Sequence, residues 1–112
     1  MRRTIVHLLT AASLFISIQA APAVAETREL LLAAYSVPKE AYEKRIIPAF
    51  EQQWKQKTGE TIRIHTSFAA SGAQARAIIG GLEADVAALS LESDLQQLVK
   101  ANLVTHDWKQ GA

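Results

Sequence analysis

The sequence predicts an α/β fold built on a parallel sheet. Three observations carry this: an apolar segment with no polar alternation, a second β-branched segment, and helical periodicity between the strands. Residues 29–35 (Glu-Leu-Leu-Leu-Ala-Ala-Tyr) suit a strand buried on both faces, as a parallel sheet requires. Ser36-Val37-Pro38 ends it. Pro38-Lys39-Glu40 then opens a helical stretch with Tyr42, Ile46, Phe50 and Trp54 at i, i+4 spacing, predicting one buried face. Glu43, Lys44, Glu51, Lys55 and Lys57 are expected to face water. Pro48 lies inside this pattern and should kink the helix or restart it at a new first turn. Thr58-Gly59 closes it, with Gly59 as a left-handed cap.

Residues 61–67 alternate and are rich in β-branched side chains, which predicts a second strand. Residues 68–72 read as a loop of small residues, with a helix over 73–79 that Gly80-Gly81 stops. Residues 85–89 (Asp-Val-Ala-Ala-Leu) predict a short third strand. Residues 90–101 follow as an amphipathic helix with Leu91, Leu95, Leu98 and Val99 on one face and Ser90 or Ser93 as its cap. The order β-α-β-α-β-α implies a parallel sheet with right-handed crossovers. Residues 102–112 bring no closing element, and Trp108 wants a surface to pack against. Three strands and three helices make half of a doubly wound domain, so the expectation is a truncated piece.

Composition excludes several function classes. The 112 residues carry 12 basic and 11 acidic side chains, a net charge of +1 that is no nucleic-acid footprint. Charged residues at 21% and a mean hydropathy of +0.05 describe a globular chain. No Cys is present, which removes disulfide scaffolds, Cys-ligated zinc, iron–sulfur clusters and thiol nucleophiles.

Residues 1–25 read as a secretory signal peptide. Arg2 and Arg3 give a positive start, and residues 8–20 form an uncharged, mostly apolar run. Pro22 breaks the run, and Ala23-Val24-Ala25 places small residues at the cleavage positions before Glu26. Spanning a membrane takes roughly 20 strongly apolar residues. Thr10, Ser13, Ser17 and Gln19 dilute a run already too short. Cleavage removes Arg2 and Arg3, leaving 10 basic and 11 acidic groups in a soluble product outside the inner membrane.

The informative chemistry lies in residues 67–76 (Ser-Phe-Ala-Ala-Ser-Gly-Ala-Gln-Ala-Arg). A strand ends, small residues let the backbone approach a partner, and Ser71-Gly72 begins a helix. Helix starts carry free N–H donors and partial positive charge, so they hold anions without a cationic side chain. In open parallel sheets, ligands sit at this carboxyl edge. The plain alternative is that Ser71 only caps a helix and Gly72 only relieves crowding; both readings stay open here. The exit of the first strand at Ser36-Val37-Pro38 would lie beside it. Lys39 and Glu40 are expected to be solvated. Glu83 and Asp85 fall on opposite faces of a strand, against a paired acid–base site, and Asp85 is expected to satisfy nearby N–H groups. His65 and His106 make no metal pattern. Gly72, Gly80 and Gly81 lack the spacing of a dinucleotide or phosphate loop, and no G-x-S-x-G elbow surrounds Ser71. A binding protein is expected, with no catalytic residues and no cofactor.

Five motifs then occur together and in order: Tyr-Ser-Val-Pro at 35–38, Ala-Phe-Glu-Gln-Gln-Trp-Lys-Gln-Lys-Thr-Gly at 49–59, Ala-Ser-Gly-Ala-Gln-Ala-Arg-Ala at 70–77, Gly-Leu-Glu-Ala-Asp-Val-Ala-Ala-Leu at 81–89 and Thr-His-Asp-Trp-Lys at 105–109. In these the chain resembles the N-terminal portion of periplasmic sulfate/thiosulfate-binding proteins, the receptors of sulfate ABC importers. The resemblance covers essentially all of residues 30–109.

It implies a type II-like, two-lobed periplasmic binding protein, of which residues 26–112 would be the N-terminal part of the first lobe. That part would be an incomplete three-layer parallel-sheet lobe. The family holds a dehydrated oxyanion between its lobes by main-chain N–H groups, hydroxyls and an indole N–H. Carried over, Ser71 matches the ligand-contacting Ser at the second strand exit, with Gly72 beside it. The first exit falls at Val37, where many members have Asp before the Pro; a main-chain donor survives that change. The implied partners are sulfate or thiosulfate and a membrane permease, with no nucleic acid and a monomeric, periplasmic receptor. Sulfate is fully ionised at neutral pH and suits an all-donor site, whereas a protonated phosphate wants an acceptor. The alternatives are a receptor for another oxyanion (phosphate or molybdate) and a truncated product that binds nothing.

Overall fold

The computed structural model describes residues 26–110. The secretory segment expected at residues 1–25 lies outside the described residues. Strand β1 (Arg28–Tyr35) is central, β2 (Ile62–Ala69) and β3 (Val86–Ala88) flank it, and all pairing is parallel in the order β2-β1-β3. The register pairs Tyr35 with Ala69 and Ala34 with Ala88, so the three strands leave the sheet side by side.

After β1 come α1 (Lys39–Ala41), a π-helical turn (Tyr42–Ile46) and α2 (Ile47–Thr58). Then α3 (Ser71–Ile79) connects β2 to β3, and α4 (Glu92–Lys100) follows β3. The step from β1 to β2 runs one way along the sheet and the step from β2 to β3 runs back across β1. Right-handed crossovers therefore put α2 and α3 on opposite faces. Leu32, Ala34 and Ile47 form the buried cluster on the α2 face, with Tyr42, Ile64, Phe68 and Ala88 packed around it. Ala33, pointing the other way, is fully buried beneath the α3 layer, where α4 packs against α3. The α/β class, strand order and parallel sense expected from sequence all hold.

Four expectations need correction. The face of the first long helix is not the i, i+4 row: Ile47 is 8% exposed, whereas Ile46 is 50% exposed. The cause is the π turn, in which the Ile47 N–H reaches back to the Tyr42 carbonyl. One extra residue enters that turn, so Ile47 and not Ile46 comes beneath Tyr42. Pro48, which has no N–H to donate, sits in the first turn of α2, as a restarted helix requires. Glu51 lies one α-turn beyond Ile47 and so reaches the sheet rather than water; its Oε1 accepts the edge N–H of Ile64 at 2.8 Å.

The expected loop at residues 68–72 shrinks to Ala70. Phe68 and Ala69 extend β2, while Ser71 and Gly72 already belong to α3. Strand β3 is shorter than expected, because Asp85 extends the pairing with its side chain rather than as a strand residue. Neither Ser90 nor Ser93 caps α4. Leu91 occupies that position, and Glu92 and Asp94 in the first turn face the partial positive charge instead. Gly59 does cap α2 in the left-handed region, at φ 76°.

The core is thin. Seven apolar residues are buried and three of them are Ala, so little volume is enclosed. Beside it a groove of about 260 Å³ stays open on the α2 face, floored by Leu30, Leu32, Ile64 and Ala88 and walled by Ile46 and Phe50. The outer edge of β3 has no strand partner among the described residues. Trp108 finds its packing surface in the 101–110 segment, which returns along β3 and α4 and borders a cavity of about 430 Å³ with Leu95, Leu98 and Val104.

Candidate functional site

The carboxyl edge of the sheet gathers the chemistry. Helix α3 starts there directly from β2, with Ala70 as its cap residue and no side chain capping it. Gln74 is the first residue whose N–H closes a turn, onto the Ala70 carbonyl at 2.9 Å. The N–H groups of Ser71, Gly72 and Ala73 thus have no acceptor within the helix. Ser71 is the first residue of α3, not its cap. Its buried hydroxyl instead accepts the N–H of Ser90, at the exit of β3, at 3.1 Å. That bond fixes the start of α3 to the third strand exit.

Gln74 fixes the other two exits. Its side chain is 1% exposed, and Nε2 donates to the Ala34 carbonyl at 3.1 Å and the Ser67 carbonyl at 2.7 Å. The last residues of β1 and β2 are therefore stapled to the first turn of α3. Sequence reading passed over both Gln74 and Ser90. A polar amide within an otherwise Ala-rich apolar stripe (Ala73, Ala75, Ala77) was the available signal for Gln74; Ser90 acts through its backbone, which no side-chain pattern reports.

Val37 sits on the same edge two residues beyond β1 and is 88% exposed. The shallow cavity around it, about 390 Å³, is lined by Ser36, Lys39, Glu40, Glu43 and Lys44, and neither Ser71 nor Gly72 borders it. Ser71 and Gly72 are thus brought together with Ser90, and Val37 stands apart on the neighbouring exit. Lys39 and Glu40 are exposed, as expected. Glu40 pairs with Lys44 at 2.7 Å, and the Lys39 ammonium lies 5.7 Å from the centre of the Phe68 ring.

Electrostatically the edge has few fixed charges. Glu92, in the first turn of α4, accepts from Lys109 at 2.6 Å. That hydrogen bond and the charge of Lys109 hold the Glu92 carboxyl below the ordinary glutamate value, and the same contact raises Lys109. Asp85 behaves as expected of a strand-end carboxylate, taking the Leu31 N–H at 2.7 Å. His65 lies 3.3 Å from Glu29 on the neighbouring strand. Among the described residues no group of three His, Cys, Asp or Glu could hold a metal ion, and no helix is long and apolar enough to cross a membrane. The arrangement offers donors from backbone and no acid–base pair at the α3 start.

Comparison with known proteins gives a consistent set of matches. The family model described as bacterial extracellular solute-binding protein matches residues 30–111. A sulfate-binding protein of Synechococcus elongatus is 52% identical over 82 residues, covering 73% of this chain and 23% of that protein. A thiosulfate-binding protein of Pseudomonas aeruginosa is 40% identical over 80 residues, covering 70% of this chain and 24% of its own length. Among solved structures, the sulfate-binding protein SubI from Mycobacterium tuberculosis superposes with a TM-score of 0.65 at 35% identity, over 76% of this chain and 28% of that one. The chain spans about a quarter of the length of the curated relatives it matches.

Proposed function

The chain belongs to the bacterial extracellular solute-binding proteins, and from that premise we propose that it is part of a sulfate or thiosulfate receptor serving an ABC importer. The observation that carries this reading is the start of α3. There, three backbone donors with no capping side chain stand at the carboxyl edge of a parallel sheet, tied by Ser71 to the third strand exit. A fully ionised oxyanion needs donors only, and a helix start supplies them without a counter-charge. Relatives up to 52% identical are named for sulfate, and others for thiosulfate. In this reading the ligand contacts are Ser71, Gly72 and the main chain of Val37.

The same reading assigns residues 1–25 to export and removal, which delivers the product to the periplasm. Residues 26–112 are then the N-terminal part of the first lobe. The open groove on the α2 face and the unpaired edge of β3 support this assignment, since both are surfaces that further elements of a relative-length lobe would cover. A second lobe would close over the ion and strip its water, and the closed receptor would meet the membrane permease as a monomer.

Two measurements test it. Residues 26–112 replace the corresponding quarter of the Synechococcus elongatus relative, and sulfate binding by the hybrid is measured by calorimetry. Retained binding supports the reading, and loss of binding in a folded hybrid overturns the sulfate assignment. The 112-residue chain alone should bind sulfate only weakly, because one face leaves the ion hydrated. Micromolar binding by it would overturn the need for a second lobe.

A further inference from the structure

Asp94 is the third residue of α4 and its side chain is 7% exposed. Oδ1 accepts from Gln97 Nε2 at 3.2 Å, and Oδ2 is buried and meets no donor among the described residues. Buried carboxylate oxygens are rarely left so, because desolvation without a hydrogen bond is costly.

What surrounds the carboxylate is informative. A methyl group placed on Gly72, the second residue of α3, would lie 3.4 Å from Asp94 Oδ1 and 3.4 Å from Arg76 Nη1. Asp94 therefore sits against the first turn of α3 while occupying the first turn of α4. The positive ends of two helices meet at one carboxylate, with a guanidinium on the far side of Gly72. That field keeps a negative charge in place without direct hydrogen bonds.

We infer that Asp94 is an internal anion that sets the affinity of the α3 start for an external one. Its charge occupies the field that the N–H groups of Ser71, Gly72 and Ala73 present, and it repels a second anion arriving at them. The role rests on the reading of the α3 start as an oxyanion site. Arg76, across Gly72, acts in the opposite sense. Asp94 touches the ligand's surroundings rather than the ligand, so it is a positioning residue that tunes occupancy.

The test follows the amide signals of Ser71, Gly72 and Ala73 in the isotopically labelled 112-residue chain during a sulfate titration, with sodium chloride holding ionic strength constant. Asp94→Asn keeps the shape and removes the charge. Its midpoint should fall roughly two- to fivefold below that of the unaltered chain, the range a charge at a helix end contributes. Arg76→Gln should raise it. A variant response with an unresponsive parent chain supports the inference as well. An equal or higher midpoint in Asp94→Asn, in a chain whose amides do respond, overturns the role of Asp94 and leaves the sulfate reading standing. Amides that ignore sulfate in both proteins overturn the sulfate site and the role of Asp94 together. Thermal stability of the variant, measured alongside, separates a packing role, which would lower the melting temperature and leave the midpoint alone.

Discussion

Asp85 and Leu31 hold each other twice. The Asp85 N–H donates to the Leu31 carbonyl at 3.0 Å, and Asp85 Oδ2 accepts the Leu31 N–H at 2.7 Å. The side chain thus does what a carbonyl does one rung further along, and it lengthens the short pairing of β3 with β1. Asp85→Ala should cost about 1–2 kcal/mol, the net value of a hydrogen bond to a charged group at a partly open site. Urea denaturation would show it as a lower midpoint with an unchanged slope.

Gln74 is the more expensive residue to lose. Gln74→Ala leaves the Ala34 and Ser67 carbonyls without their shared donor and opens a cavity beneath α3. A loss of about 2–4 kcal/mol is expected. Gln74→Met, which refills the volume but donates nothing, should recover less than half of that in the same unfolding measurement.

Two glycines should respond in opposite directions. Gly59 has φ 76°, and Gly59→Ala should destabilise by about 1 kcal/mol because Cβ meets the carbonyl in that region. Gly72 is helical with only ordinary van der Waals neighbours around an added methyl. Gly72→Ala should be neutral or stabilising by up to about 1 kcal/mol. Thermal unfolding of the two variants side by side checks the sign of each.

The return of the tail onto α4 should depend on pH at both extremes. Glu92 is held low by its hydrogen bond and charge contact with Lys109, so its contribution is present above the ordinary glutamate value and is lost as pH falls through the lowered one. Lys109 is raised by the same contact, so its contribution is present below the ordinary lysine value and is lost as pH rises through the raised one. Across neutral pH the clasp should stay closed. Fluorescence of Trp108 in a Trp54→Phe background should report it, with the acid transition blunted by salt because the pair is exposed.

Much of this fold was legible because its elements advertise themselves locally. The apolar run in β1, the β-branched alternation in β2, the Gly59 cap and the carboxylate of Asp85 each follow from neighbours in sequence. The errors arose where the deciding contact is distant or backbone-made. Ile47 displaced Ile46 because one inserted residue rotated the helix, and Glu51 turned inward for the same reason. Ser71 lost its capping role because the Ser90 N–H claims its hydroxyl. At the site, small residues at a strand exit marked the right edge, but Gln74, Ser90 and Asp94 act through partners between 7 and 40 residues away or across the helix pair.

The π turn at Tyr42–Ile46 also governs how this helix tolerates change in length. An α-helix advances by roughly 100° per residue, so the extra residue acts as a phase shift between Tyr42 and everything that follows. Deleting one residue there would let the turn relax to ordinary α geometry while swinging Ile47, Glu51 and Trp54 off the sheet as a set. Substitutions within the turn leave that phase intact. In this stretch, then, a single gap is a larger event than several replacements, and residue count rather than residue identity is what the sheet enforces.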